Sequence, residues 1–122
     1  MESRKEKGKR GEDAACAHLV GLKHRILERN WRSGHLEIDI ISEASDGIHF
    51  VEVKARTLPY QAPPEENVGV VKQRRITAAA LRYLHESRND GKEAFFDVIS
   101  VTFSAAGAEI AYFPGAWIPM YY

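Results

Sequence analysis

A single cysteine, Cys16, excludes an internal disulfide and fits a reducing compartment, so the cytoplasm is the expected location. It sits in an alanine-rich stretch and reads as a structural thiol rather than a nucleophile. No apolar run approaches the roughly 20 residues a membrane-crossing helix needs, and no membrane partner is expected. The basic N-terminal residues are not followed by an apolar segment, so no secretory signal is expected. Charge of one sign is also missing: 17 Lys and Arg balance 17 Asp and Glu, so no global basic field announces a polyanionic partner. The five histidines, His18, His24, His35, His49 and His85, show no zinc-ligand spacing, and each reads as a surface or half-buried residue. Gly8-Lys9-Arg10-Gly11 lacks the spacing of a phosphate-cradling loop. Repeats, low-complexity tracts and interdomain linkers are absent as well. Residues 1–122 are therefore expected to form one domain, with 1–7 a flexible basic leader and 114–122 an apolar tail.

What is present reads as α/β in the order αβββαββ. A first helix is expected from about Glu6 to Gly21, with Ala15, Leu19 and Leu22 as its apolar stripe. His24 to Arg32 reads as a strand. Two further strands flank Glu43-Ala44-Ser45-Asp46-Gly47, a run of turn formers that suits a hairpin loop. Thr57 to Glu66, carrying Pro59, Pro63 and Pro64, reads as a loop. A second helix follows over Val70 to Glu86, then strands over Phe95–Phe103 and Glu109–Phe113.

The hairpin carries the chemistry. Glu37-Ile38-Asp39 and Glu52-Val53-Lys54 put ionisable groups into two segments that otherwise read as buried strands. Burying an unpaired charge is expensive, so such groups need a partner. A hard cation is a natural one, because Mg²⁺ takes a few carboxylate oxygens and shares its other positions with water and phosphate. Strand alternation puts Glu37, Asp39 and Ile41 on one face and Leu36, Ile38 and Ile40 on the other. On the next strand Phe50, Glu52 and Lys54 share a face, opposite Val51 and Val53. Folded as a hairpin, Asp39 and Glu52 come side by side, and each raises the other's pKa until a divalent ion relieves the repulsion. The lysine can hold a water or stabilise charge developing on a phosphate. The ordinary alternative is a solvated outer face, with Glu52 and Lys54 a surface charge pair of little worth.

Asp39 followed by Glu52-Val53-Lys54 resembles the PD-(D/E)xK nuclease signature. Four segments together resemble more closely the YraN family, small bacterial proteins with a restriction-endonuclease-like fold. They are Gly8-Lys9-Arg10-Gly11-Glu12-Asp13-Ala14-Ala15, Asn30-Trp31-Arg32, Glu37-Ile38-Asp39-Ile40-Ile41 and Phe50-Val51-Glu52-Val53-Lys54-Ala55-Arg56. Lys72, Arg75, Ile76 and Ala79 fit the family's second helix, and Phe96-Asp97-Val98 its late strand. Two departures stand out. Leu36 occupies the place of a family glycine, with Gly34 two residues earlier, and Ile38 replaces the signature's proline.

The resemblance implies an αβββαβ core with a mixed central sheet flanked by helices. It implies Mg²⁺- or Mn²⁺-dependent cleavage of DNA, with branched or damaged structures as candidate substrates. Asp39 and Glu52 would bind the metal with Glu12 and the Val53 carbonyl, Lys54 would act on water and phosphate, and Glu37 would be accessory. Lys9, Arg10, Arg56, Lys72, Gln73 and Arg75 would hold the nucleic acid, whose backbone dominates affinity. Resolvases of this superfamily act as dimers, so a homodimer is a candidate assembly. The C-terminal run Trp117-Ile118-Pro119-Met120-Tyr121-Tyr122 either covers a sheet edge or makes a dimer contact. The competing reading is a non-catalytic nucleic-acid-binding module that keeps the fold and uses only its basic clusters. A third is an adaptor that docks through its aromatic tail.

Overall fold

In a computed structural model the described residues are 2–59 and 68–119. Their elements are α1 (Arg4–Gly21), β1 (Arg25–Ser33), β2 (Leu36–Ala44), β3 (Gly47–Thr57), α2 (Val70–Glu86), β4 (Ala94–Ser104) and β5 (Gly107–Phe113). Most of the expected loop over 57–66, and positions 120–122 of the expected tail, lie outside the described residues.

The five strands form one mixed sheet in the order β1-β2-β3-β4-β5. Only β3 and β4 are parallel, and α2 makes the crossover that a parallel pair requires. Phe50 and Val51 are neighbours in β3, yet each joins a different apolar cluster, so the sheet is covered on both faces. One cluster packs Ile38, Ile41, Phe50, Phe96 and Val98 against Ile76, Ala79, Ala80, Tyr83 and Leu84 of α2. The other packs Ile40, Val51, Ile99 and Val101 against Ala15 and Leu19 of α1. The expected α/β architecture, a mixed sheet flanked by helices, is the one observed.

Three local features differ from expectation. The segment expected as a flexible leader is helical from Arg4, because Ser3 and Glu6 form a capping box: Ser3 Oγ accepts from the Glu6 amide at 3.1 Å, and Glu6 Oε1 from the Ser3 amide at 3.3 Å. Leu22 does not join the apolar stripe, because α1 has ended and its side chain is 48% exposed. In the tail, Trp117 stacks on Phe96 at 4.4 Å between centroids and joins the α2-side cluster, whereas Ile118 is exposed.

The hairpin between β2 and β3 is tighter than the turn-forming run suggested, with Ala44 opposite Gly47. Gly47 has φ +145, and a Cβ there would lie 2.4 Å from the Glu93 carbonyl oxygen. Only glycine fits this conformation and this approach.

Candidate metal and nucleic-acid site

Asp39 lies where β2 and β3 part. The ladder runs from Ala44 opposite Gly47 to Ile40 opposite Val51 and stops there. Past that point the Asp39 side chain replaces the missing strand partner, its Oδ2 accepting the Val53 N–H at 2.8 Å. Across β1 the facing position is Asn30, flanked by the pairs Arg29 with Ile40 and Trp31 with Ile38 and held at φ +50. The strand is irregular here. Ile38 joins the α2-side cluster and Ile40 the α1-side cluster, so these two do not share the face that strict alternation assigned them. The expectation for β3 holds: Phe50 faces α2, and so does Glu52, which meets Lys72 of that helix, while Val51 and Val53 face α1.

This divergence opens a cavity of about 370 Å³. Its wall brings together Asp39, Glu52, Val53 and Glu12, with Arg4 and Lys7 from the first turns of α1. Helix α1 comes this close because Gly11 has no side chain: a Cβ there would sit 2.7 Å from that of Ala55. The next residue, Glu12, is thereby presented to the cavity.

Burial pushes the Asp39 carboxyl up to about 8, helped by the charge of Glu52 and a hydrogen bond shared with it, against the lowering effect of the Val53 N–H. Asp39 therefore favours its protonated form well above the ordinary carboxylate range. Glu52 is 8% exposed and accepts from Lys72 Nζ at 2.7 Å. Burial alone would depress Lys72, yet its bond to Glu52 and the negative charges of Glu52, Asp39 and Glu37 together outweigh burial and raise it. The donor set consists of hard oxygens, which suits a hard divalent ion with one or two carboxylate ligands and its remaining positions in water. Glu12 reaches the wall already engaged. Its Oε1 accepts from Asn30 Nδ2 at 2.8 Å and lies 3.7 Å from Arg29. Among the described residues no three Asp, Glu, His or Cys side chains converge tightly enough to ligate one ion as they stand. The smallest donor set is Asp39 and Glu52.

The other residues singled out in the sequence divide sharply. Lys54 and Arg56 continue the Glu52 face of β3, both half-buried. Lys72 and Arg75 border a second cavity, of about 630 Å³, with Glu37 and His35 on its opposite wall. Glu37 is paired at 3.6 Å with Arg32. Gln73 donates to the Val68 carbonyl at 2.7 Å, securing the start of α2 rather than lining either cavity. Lys9 and Arg10 line neither cavity. Lys9 pairs with Asp13 at 3.4 Å, and Arg10 pairs with Glu2 at 2.7 Å and stacks on Phe103 at 3.7 Å. The cavity-facing cations of α1 are Arg4 and Lys7. Their signal lay in the spacing of Arg4, Gly8 and Glu12, one helical stripe, once the helix is known to begin at Arg4.

A second polar cluster went unread in the sequence. His49, expected near the surface, is 3% exposed. Its Nδ1 lies 2.6 Å from Oδ2 of the fully buried Asp97, and its Nε2 lies 2.7 Å from Asp46 Oδ1. Tyr112 donates to the same Asp97 oxygen at 2.6 Å, and the Gly115 amide donates to Oδ1 at 2.9 Å. Burial would lower His49, but the bonds to Asp97 and Asp46 outweigh it and raise its pKa. This network ties β3, β4 and β5 together away from the carboxylate cavity. Its signal was Asp97 within the apolar run Phe95–Val101, the same anomaly that marked Asp39.

Among relatives, the chain is 42% identical to a UPF0102 protein of Geobacter metallireducens, over 93% of this chain and 93% of that one. It is 39% identical to one from Myxococcus xanthus, over 93% and 90%. It is 44% identical to one from Syntrophus aciditrophicus, over 84% and 81%. Among solved structures, Pyrococcus furiosus SfsA in complex with Ca²⁺ aligns at 19% identity and a TM-score of 0.40, over 88% of this chain and 62% of that chain. No helix among the described residues is long and apolar enough to cross a membrane. The family profile of the uncharacterised protein family UPF0102 matches residues 11–101, and with these relatives it shows that the chain belongs to that family, the YraN family its motifs resemble.

Proposed function

We propose that this chain is a divalent-metal-dependent endonuclease that cleaves phosphodiester bonds in DNA. The observation that carries the reading is the Asp39–Glu52 pair, brought together in one cavity beside Glu12 and Val53 and ringed by Arg4 and Lys7. A buried carboxyl beside a second one, held protonated well above its ordinary range, is a place where a divalent cation would be stabilising.

Asp39 and Glu52 would hold Mg²⁺ or Mn²⁺, with the Val53 carbonyl available. When bound, the ion supplies a Lewis acid for the phosphoryl oxygen and lowers the pKa of a water. The chain's own residues do the rest. Arg4 and Lys7 neutralise the flanking phosphates, without which the carboxylates would repel the substrate. Lys54 holds the attacking water and steadies negative charge on the phosphate. The Val53 N–H keeps Asp39 turned toward the cavity.

The test is cleavage of labelled single-stranded, duplex, flap and junction DNA with Mg²⁺ or Mn²⁺, beside a Glu52→Ala control. Cutting that requires metal and disappears in the control supports the nuclease. One observation favours the binding module instead: Lys72 already neutralises Glu52, so the pair is partly compensated without an ion. The module predicts salt-sensitive binding that ignores both divalent metal and Asp39.

A further inference from the structure

The Glu52–Lys72 contact links the two cavities. Glu52 belongs to the carboxylate cavity, and its partner Lys72, 2.7 Å away, belongs to the larger one. Their linings differ in kind. The α1 side offers Arg4, Lys7 and the backbone of Gly8, suited to phosphate alone. The α2 side offers Val70, Val71 and Ile76 together with His35, Lys72 and Arg75. Val70 and Val71 are 59% and 64% exposed, on the first turn of a helix whose other apolar residues are mostly buried. Among the described residues Arg75 makes no ion pair, and the one acid lining the cavity, Glu37, is paired with Arg32.

A continuous duplex presents phosphates and leaves apolar surface of this kind uncovered. An unpaired nucleotide would match each part: its phosphate at Lys72, and its base against the two valines, with the His35 ring and the Arg75 guanidinium available for stacking. The volume of about 630 Å³ exceeds what one nucleotide needs. We infer that the larger cavity receives an unstacked nucleotide next to the phosphate at the Asp39–Glu52 pair. The substrate class is then DNA with a single-stranded gap, flap or branch rather than uninterrupted duplex. The inference rests on the nucleic-acid reading above and names the substrate of that site.

The experiment measures binding in EDTA, so that it does not depend on cleavage. Fluorescence anisotropy compares a duplex, the same duplex with a short unpaired flap, and that flap with an abasic residue at the unpaired position next to the branch. The expected result is about tenfold tighter binding of the flap, lost with the abasic probe. The preference should also be lost in a Val70→Ser, Val71→Ser double variant, whose two side chains are too exposed to matter for folding. Equal affinity for duplex and flap overturns the inference. So does a preference that survives either the abasic probe or the double variant, since charge alone would then explain it. Base-dependent selectivity in a protein that never cuts supports the cavity and refutes the nuclease; cutting without selectivity does the reverse.

Discussion

Replacing Asp39 by asparagine tests the electrostatic argument without relying on catalysis. In the folded protein the carboxyl titrates near 8, against an ordinary value of 3.8. Between those values the native state holds a proton that the unfolded chain has released. The native state therefore binds more protons, and stability must fall as pH rises from about 4 through about 8, then level off. At about 1.4 kcal/mol per pKa unit, the gap sets a ceiling of roughly 6 kcal/mol. Relaxation of the pair and the high effective dielectric of a half-open cavity reduce it, to about 2 kcal/mol as the expected gain. Asn removes the charge, keeps an oxygen to accept the Val53 N–H, and offers Glu52 a donor. Urea unfolding of both proteins in EDTA, from pH 5 to 9, gives the comparison. The Asp39→Asn variant should be the more stable by about 2 kcal/mol at pH 8, with the difference closing toward pH 5. Added Mg²⁺ should stabilise the parent and leave the variant unchanged. A variant that is less stable at pH 8, or a gain that does not vary with pH, refutes the argument and makes Asp39 a structural residue.

Other expectations follow from particular contacts. In Gly11→Ala, the added methyl meets Ala55, so the variant should lose about 1–3 kcal/mol in thermal unfolding as α1 is pushed off β3; full stability would mean the approach is soft. His49→Ala strands the buried Asp97 charge and should cost about 3–5 kcal/mol by urea unfolding. Because folding raises His49, its contribution should be complete below its unfolded value of 6.5 and fade as pH climbs through the folded one, so a cost that grows with pH would count against the pairing. Arg4→Ala and Lys7→Ala should each weaken DNA binding and lower the slope of log affinity against log salt by about 1, whereas Lys9→Ala should leave both unchanged. The opposite ranking in a salt titration would place the nucleic acid on another face of α1.

The sheet, both helices and the Asp39–Glu52 pairing were legible in the chain because each rests on local periodicity. Alternating apolar residues make β2 and β3, turn formers join them, and an acid within an apolar strand stands out wherever it lies. That rule was incompletely applied to Asp97, whose buried partner His49 lies 48 positions away. It could not foresee that alternation fails at Asp39, because strand separation depends on what β1 and α1 do on either side. Nor could it tell which of five N-terminal cations, Arg4, Lys5, Lys7, Lys9 and Arg10, would line the cavity. Those positions are equivalent in composition, and only the capping of α1 by Ser3 and its close packing at Gly11 turn Arg4 and Lys7 toward the cavity and leave Lys9 and Arg10 off its wall. The sequence by itself determined which residues are apolar, which are charged and at what period they recur, and hence the elements and the carboxylate pair. Only the tertiary structure decided which charges meet, because contact between distant segments depends on packing distances of a few ångströms that no local pattern encodes.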